Sequence, residues 1–201
     1  MPIRVVSVSL LLAALTLSAC DPVTVTVVGT GGAVGMGAAE ERGLEAAVDD
    51  TKIRTAINAL WVQEDFTLFR EVTLTVNEGR VMLTGSVEKP ETRVEAVRLA
   101  WQAAGVRQVI DEIQVTDQSG IASSLQDSWI ANKLRTELMF DSGIKNINYT
   151  VDVENSIVYL MGIAQNQEEL DRVIAAAREI SGVKKVVNHV LLKTDPRRNA
   201  P

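Results

Sequence analysis

Two spacings of hydrophobic residues follow each other in a fixed order along most of this chain. Apolar residues first recur every four positions, as at Ile53, Ile57 and Trp61, which is typical of one face of a helix. Apolar and polar residues then alternate, and the Glu78-Gly79 pair between the two alternating runs is typical of a hairpin turn. The predicted elements are a helix opening at Asp50, strands over 71–77 and 80–86, a helix over 91–104 and a strand over 108–115. Their order is αββαβ.

The same pattern then returns without a gap. Asp127 stands 77 positions after Asp50, and Gly162 stands 77 positions after Gly85. The predicted elements of this second copy are a helix opening at Asp127, strands over 148–154 and 157–163, a helix over 168–181 and a strand over 185–192. The period is longer than that of stacked solenoid repeats, so each copy is predicted to be a small domain of its own.

The pattern predicts an α+β fold in both copies, with a three-stranded mixed sheet packed on two helices. Asp50 and Asp127 are predicted to cap the N-termini of the first helices, because a side-chain carboxylate there accepts hydrogen bonds from free backbone amides. Gly85 and Gly162 end the second strands, where a glycine usually marks a bulge or a close approach of the backbone. These two glycines are predicted to serve folding and not binding.

The N-terminus carries the pattern of an export signal. Residues 5–17 form an almost unbroken apolar run that is too short to span a bilayer. The run ends in Leu17-Ser18-Ala19-Cys20, which resembles the bacterial lipobox and implies cleavage before Cys20 and acylation of its thiol. An ordinary secretory signal with a chance cysteine is the alternative. The predicted segments are a signal peptide (1–19), a lipidated N-terminus with a flexible Gly/Ala-rich tether (20–49), a first domain (50–116), a connector (117–126), a second domain (127–193) and a C-terminal tail (194–201).

Charge and composition argue against several classes of function. The formal net charge is −6 and no basic stripe is present, so the chain is predicted not to bind nucleic acid. No Cys/His cluster, nucleophile elbow or metal-ligand spacing occurs, so neither a metal site, nor a cofactor, nor catalytic residues are predicted. The single histidine, His189, lies in the last strand and is predicted to face solvent. The chain is predicted not to be an enzyme.

Each copy resembles the BON domain, and the likeness covers essentially the whole chain after Cys20. The residues that carry it are the Asp at the first helix, the runs 81–85 and 158–162, and the pairs Gly105-Val106 and Gly182-Val183. The order of leader, tether and two copies is similar to that of the dual-BON lipoproteins of the Gram-negative envelope, the DolP group. This resemblance implies a periplasmic protein that binds anionic phospholipid through the first helix of the second domain, supports outer-membrane integrity and catalyses nothing.

The first helix of the second copy agrees with that implication. At 100° per residue, Ile130, Leu134 and Leu138 share a face that is predicted to point to the core, whereas Trp129 and Phe140 lie on another face. Exposed aromatic rings beside cations are typical of a surface that binds at the membrane interface. The predicted phospholipid-binding residues are Trp129, Lys133, Leu134, Arg135, Thr136, Met139 and Phe140. The alternative is that the aromatic face packs against the first domain or the connector.

The predicted partners are anionic membrane phospholipid and envelope proteins, and the oligomeric state stays open. A rival hypothesis is an adaptor whose lipid only positions the domains for an envelope protein. The predicted location is the periplasmic face of the outer membrane. Asp21, which follows the lipidated cysteine, keeps the inner membrane open as an alternative.

Overall fold

A computed structural model of the protein describes residues 40–116 and 121–198, with the backbone alone at 121 and 122. The predicted signal peptide, the lipidation site Cys20 and the neighbouring Asp21 therefore lie outside the described residues, as do parts of the connector and of the tail.

The first copy folds as an α+β unit. Its elements are α1 (Gly43–Glu64), α2 (Phe66–Glu71), β1 (Val72–Asn77), β2 (Arg80–Val87), α3 (Pro90–Ala100), β3 (Gln108–Asp111) and β4 (Gln114–Val115). Strand β2 is central, antiparallel to β1 and parallel to both β3 and β4. The last predicted strand is thus interrupted, and the short helix α2 has no counterpart in the sequence prediction.

The second copy has the same plan. Its elements are α4 (Ile121–Phe140), a 3-10 turn (Asn146–Asn148), β5 (Tyr149–Glu154), β6 (Ile157–Ala164), α5 (Gln167–Glu179), β7 (Lys185–Leu192) and a second 3-10 turn (Pro196–Arg198). Strand β6 is antiparallel to β5 and parallel to β7. The prediction of two mixed sheets, each with helices on one face, is confirmed.

The prediction that Asp50 and Asp127 are helix caps is wrong. Helix α1 begins at Gly43 and α4 at Ile121, so both aspartates lie inside helices, and both are buried. The carboxylate of Asp127 instead accepts hydrogen bonds from the backbone amides of Asn155 and Ser156, at 2.7 and 2.8 Å. These amides belong to the turn between β5 and β6. Asp50 does the same for the turn between β1 and β2. Each aspartate therefore fastens its hairpin to its first helix.

Each domain has its own hydrophobic core between the sheet and the helices. In the first domain Ile57 and Trp61 of α1 are fully buried, and in the second domain Ile130 and Leu134 of α4 are fully buried. The four-residue spacing of these side chains predicted the buried faces correctly.

The two domains pack against each other through the helix-free faces of their sheets. Met82 and Ile110 of the first sheet form a buried cluster with Tyr159 and Met161 of the second. The hydroxyl of Thr75 donates a hydrogen bond to a carboxylate oxygen of Asp152 at 2.9 Å across this contact. Both helical layers consequently lie on the outside of the sheet-to-sheet stack.

Equivalent positions of the two copies meet at this contact. Thr75 and Asp152 are 77 positions apart, as are Glu112 and His189, whose Oε1 and Nε2 atoms lie 2.8 Å apart. Contacts between equivalent positions are the signature of two-fold symmetry. Thr75 in β1 and Glu112 just after β3 both contact their own equivalents, so both lie close to the pseudo-two-fold axis. Because β2 lies between β1 and β3, the axis runs across the strands. The rotation places α1 and α4 on opposite outer faces, running in opposite directions.

The prediction that His189 faces solvent is wrong, because its imidazole contacts Glu112 of the other domain and its side chain is only 22% exposed. Residues of β7 on the helix side, such as Val190, do pack in the core as predicted. The other face of β7 was assigned to water because sequence periodicity does not reveal a second domain.

Asp152 gives this contact a pH dependence. Burial raises the pKa of Asp152, against the opposing effects of the Thr75 hydrogen bond and of two arginines. A carboxyl whose pKa is higher in the folded state than in the unfolded state stabilises the folded state at low pH. This stabilisation is lost as the pH rises through the folded-state pKa. Asp152→Asn, which mimics the protonated form, is therefore expected to be more stable than the parent at neutral pH. The measurement is urea unfolding of both proteins from about pH 3.5 to pH 7. An advantage that grows on acidification would contradict the assignment.

Candidate functional site

The outer face of α4 exposes large apolar side chains. Trp129 is 50% exposed, Met139 is 61% exposed and Phe140 is 81% exposed. The domain contact lies on the opposite side of the second sheet and leaves this face uncovered. The alternative prediction, that the aromatic face packs against the first domain, is therefore wrong, since both rings remain largely exposed.

Cationic and polar side chains accompany these apolar groups. The Lys133 ammonium pairs with the Glu137 carboxylate at 3.1 Å, and the Lys133 side chain remains 51% exposed. Arg135 is exposed and donates a hydrogen bond to the backbone carbonyl of Val151 in β5. The hydroxyl of Thr136 donates to the carbonyl of Asn132 at 2.8 Å, one turn earlier in the helix. The face thus combines aromatic rings, a thioether and two cations.

Leu134 does not lie on this face. It is fully buried in the second core together with Ile130 and Leu138, as the helical spacing alone indicates. Including Leu134 among the phospholipid-binding residues conflicts with that burial, so the exposed surface of α4 does not contain it. We call this surface the α4 face and define it by Trp129, Lys133, Arg135, Thr136, Met139 and Phe140.

A shallow depression adjoins the C-terminal end of the α4 face. Arg135 and Met139 line it from α4, and Tyr149 lines it from β5. Burial, helped by the carboxylate of Glu169, raises the pKa of Tyr149, so its hydroxyl stays protonated. That hydroxyl donates to Glu169 at 3.0 Å and is therefore engaged within the domain. The depression offers van der Waals contact and one guanidinium, and no acid–base pair.

The equivalent surface of the first domain differs. The positions that match Trp129, Lys133, Thr136 and Phe140 are Lys52, Ala56, Ala59 and Gln63, all exposed and none aromatic. An aromatic pair does occur nearby, because Phe66 and Phe69 of α2 are exposed with ring centroids 5.8 Å apart. The sequence analysis missed this pair, since it lies in the helix that periodicity did not predict. Its signal in the sequence was two phenylalanines three positions apart.

Two further observations concern the described residues. Among residues 40–116 and 121–198, no group of three or more His, Cys, Asp or Glu side chains is arranged to hold a metal ion. Within the same ranges, no helix has the length and hydropathy needed to cross a bilayer.

Comparison with known proteins finds the same duplication. The BON domain family matches residues 49–117 and again residues 126–194. The chain is 40% identical over 147 residues to an uncharacterized protein in the gshII 5′ region of Anaplasma centrale, covering 73% of this chain and 96% of that protein. It is 29% identical to the outer membrane lipoprotein DolP of Haemophilus influenzae, over 80% of this chain and 83% of that protein. It is 26% identical to the osmotically-inducible protein Y of Escherichia coli, over 73% of this chain and 74% of that protein.

Proposed function

The chain belongs to the BON-domain family, and from that premise we propose that it is a non-enzymatic envelope lipoprotein that binds anionic phospholipid through the α4 face. The single observation that carries the proposal is the exposure of Trp129, Met139 and Phe140 beside Lys133 and Arg135 on one outer helix face. Partial insertion of such rings at headgroup depth removes apolar area from water, and each cation adds about 1 kcal/mol near an anionic leaflet.

Acylation of Cys20 completes the proposed membrane attachment. Residues 1–19 are the proposed signal peptide. The proposed lipidated tether begins at Cys20 and ends before α1, so it is shorter than the predicted 20–49 because α1 begins at Gly43. Two or more acyl chains hold a protein stably at a bilayer, whereas one chain binds reversibly. The Haemophilus influenzae relative is named an outer membrane lipoprotein, which supports the outer membrane as the location. Support of outer-membrane integrity is the role we propose there. Membrane fractionation would distinguish this location from the alternative that Asp21 favours, the inner membrane.

Flotation with liposomes tests lipid recognition. A Cys20→Ser variant of the mature chain removes the acyl anchor, so that any flotation reports the folded domains. We expect it to float with phosphatidylglycerol vesicles and not with phosphatidylcholine vesicles. Trp129→Ala in that background is expected to weaken binding about tenfold, because a half-exposed indole loses about 1.5 kcal/mol of burial at the interface.

Trp101 provides the matched control. It is 52% exposed, close to the value for Trp129, and it lies in the first domain beyond α3. Trp101→Ala is expected to leave flotation unchanged. Equal losses in the two variants would assign the effect to general hydrophobicity and reject the α4 face. Absence of flotation in the Cys20→Ser parent would reject phospholipid recognition altogether.

A second candidate function is that of a protein adaptor, and the exposed Phe66–Phe69 pair favours it. The pair stands beside Asp65, and the pseudo-two-fold axis places it away from the α4 face. Photo-crosslinking in cells from position 66 and from position 129 separates the two functions. A dominant protein adduct at position 129 favours the adaptor, whereas adducts with lipid there favour membrane binding.

A further inference from the structure

The segment just before α1 binds to the second domain, although it belongs to the first in sequence. The backbone amide of Glu41 donates a hydrogen bond to the side-chain oxygen of Asn148 at 2.8 Å. One carboxylate oxygen of Glu41 lies 2.9 Å from the ammonium of Lys193, and the other accepts from the amide of Gln165 at 3.0 Å. Lys145 adds a second ammonium at 3.8 Å. The second domain thus places three polar groups around the carboxylate and a fourth on the backbone amide of the same residue.

These groups form a notch at one end of the second sheet. Asn148 stands just before β5, Gln165 just after β6 and Lys193 just after β7, and the strand register brings these three ends together. Side chains at different places in the sequence therefore converge on Glu41. Its side chain is only 15% exposed, and the hydrogen bonds of Lys193 and Gln165 lower the pKa of its carboxyl, so it is ionised at neutral pH.

Neighbouring residues hold the same segment to the first domain. The guanidinium of Arg42 contacts the carboxylate of Asp50 at 2.7 Å and the carbonyl of Val76 at 3.3 Å. The 3-10 turn after β7 makes the reciprocal contact, from the second domain to the first. Its Arg198 guanidinium pairs with the Glu78 carboxylate at 2.6 Å. The start and the end of the described chain are therefore fastened together across the domain contact.

The notch lies at the C-terminal end of the α4 face. Lys145 follows Phe140 by five residues, so their Cα atoms lie at most about 18 Å apart. Trp129 and Phe140 are separated by about 16 Å along the helix. Cys20 precedes Glu41 by 21 residues, so a fully extended chain could span at most about 75 Å between the acylation site and this notch.

Given the proposed function, we infer that this notch is a carboxylate-binding site for the protein's own tether, which makes the acyl anchor and the α4 face approach the same bilayer. An anchor that leaves beside the lipid-binding surface raises the effective concentration of that surface at the membrane. The outer face of the first domain then points away from the bilayer, because the pseudo-two-fold axis sets α1 and α4 on opposite sides.

The test uses the full acylated chain in phosphatidylglycerol vesicles that carry an acceptor dye on the headgroup. Since Cys20 is the single cysteine and is acylated, a donor dye is attached through Ser142→Cys near the notch or through Gln63→Cys on α1. We expect energy transfer from position 142 to exceed that from position 63 about twofold. Glu41→Lys is expected to abolish the difference, and Glu41→Lys with Lys193→Glu is expected to restore it.

Two controls accompany the measurement. Glu45→Lys makes the same change of charge at an exposed position of the first turn of α1 and is expected to keep the difference. Hydrogen exchange of the backbone amide at position 41 should be about tenfold faster or more in Glu41→Lys than in the parent, since the notch no longer holds that amide. A difference in transfer that survives Glu41→Lys overturns the inference, as does equal transfer from both positions in the parent. If the difference depends on Glu41 while the Trp129-dependent flotation is absent, the tether site stands and phospholipid recognition by the α4 face fails.

Discussion

Replacing Gly162 by alanine is expected to destabilise the protein by at least about 3 kcal/mol, because two independent penalties coincide there. Its φ of +142° is one that residues with a Cβ rarely adopt. An added Cβ would also stand 2.0 Å from the backbone carbonyl oxygen of Asn148, which precedes β5. A backbone atom at the entry to β5 does not move aside as a flexible side chain does. The close approach expected of a strand-end glycine is therefore present.

Gly85 repeats the arrangement in the first domain, and Gly143 supplies the control. At Gly85 the φ is +119° and the added Cβ would lie 2.2 Å from the carbonyl oxygen of Glu71. At Gly143 the nearest atom is the guanidinium end of Arg172, at 2.6 Å, and its backbone shows no positive φ. We expect Gly85→Ala to be as damaging as Gly162→Ala and Gly143→Ala to cost less than about 1 kcal/mol. Urea unfolding measures all three, and equal stability of Gly162→Ala and the parent would refute the steric argument.

The repeat made the fold predictable from sequence. Two copies of one pattern, with the same spacing of Ile53 and Ile57 in the first and Ile130 and Leu134 in the second, identify the buried helix faces. The hairpins were predictable for the same reason, since Glu78-Gly79 and Asn155-Ser156 stand between alternating runs and adopt the positive φ of tight turns. Periodicity reads the contacts within each domain well.

Hydrophobic periodicity did not predict the contacts between the two domains. Met82 and Tyr159 fall on the helix-free faces of their sheets, where alternation assigns residues to water, yet both are buried against each other. The same limit explains the error at His189. A hydrophobic residue such as Met161 on a face expected to be polar was the available signal of a second layer.

The candidate site was half predictable. Helical spacing separated Trp129 and Phe140 from the core, and both are exposed. The same spacing placed Leu134 in the core, so its inclusion in the predicted site conflicted with the helical geometry. The notch around Glu41 was unpredictable, because its members come from four separated segments that only the folded second domain brings together.

The other large loss of stability is expected on replacing the aspartates that bind the hairpin turns. Asp127→Ala is expected to lower the free energy of unfolding by about 2–4 kcal/mol, since it leaves one buried and one part-buried backbone amide without an acceptor. Those amides belong to Asn155 and Ser156, whose φ angles of +51° and +67° the turn must maintain without glycine. The carboxylate compensates for that strained geometry by holding both donors at once. Asp127→Asn is expected to be nearly as damaging, because its amide group would place a donor against a donor.

Removal of the Asp127 carboxylate should also loosen the contact between the β5–β6 hairpin and α4, the helix that carries the α4 face. Asp127 binds the β5–β6 turn to α4, so its removal is expected to speed amide exchange in that hairpin before exchange in the first domain. The matched control is Asp49→Ala, which removes an exposed helical aspartate whose partner is the exposed Lys52 and should cost less than about 0.5 kcal/mol. If Asp127→Ala and Asp49→Ala unfolded at the same urea concentration, the aspartate would be no more than a surface charge. If amide exchange accelerated equally in the β1–β2 and β5–β6 hairpins, the two domains would unfold as one unit. Asp127 would then stabilise both domains together.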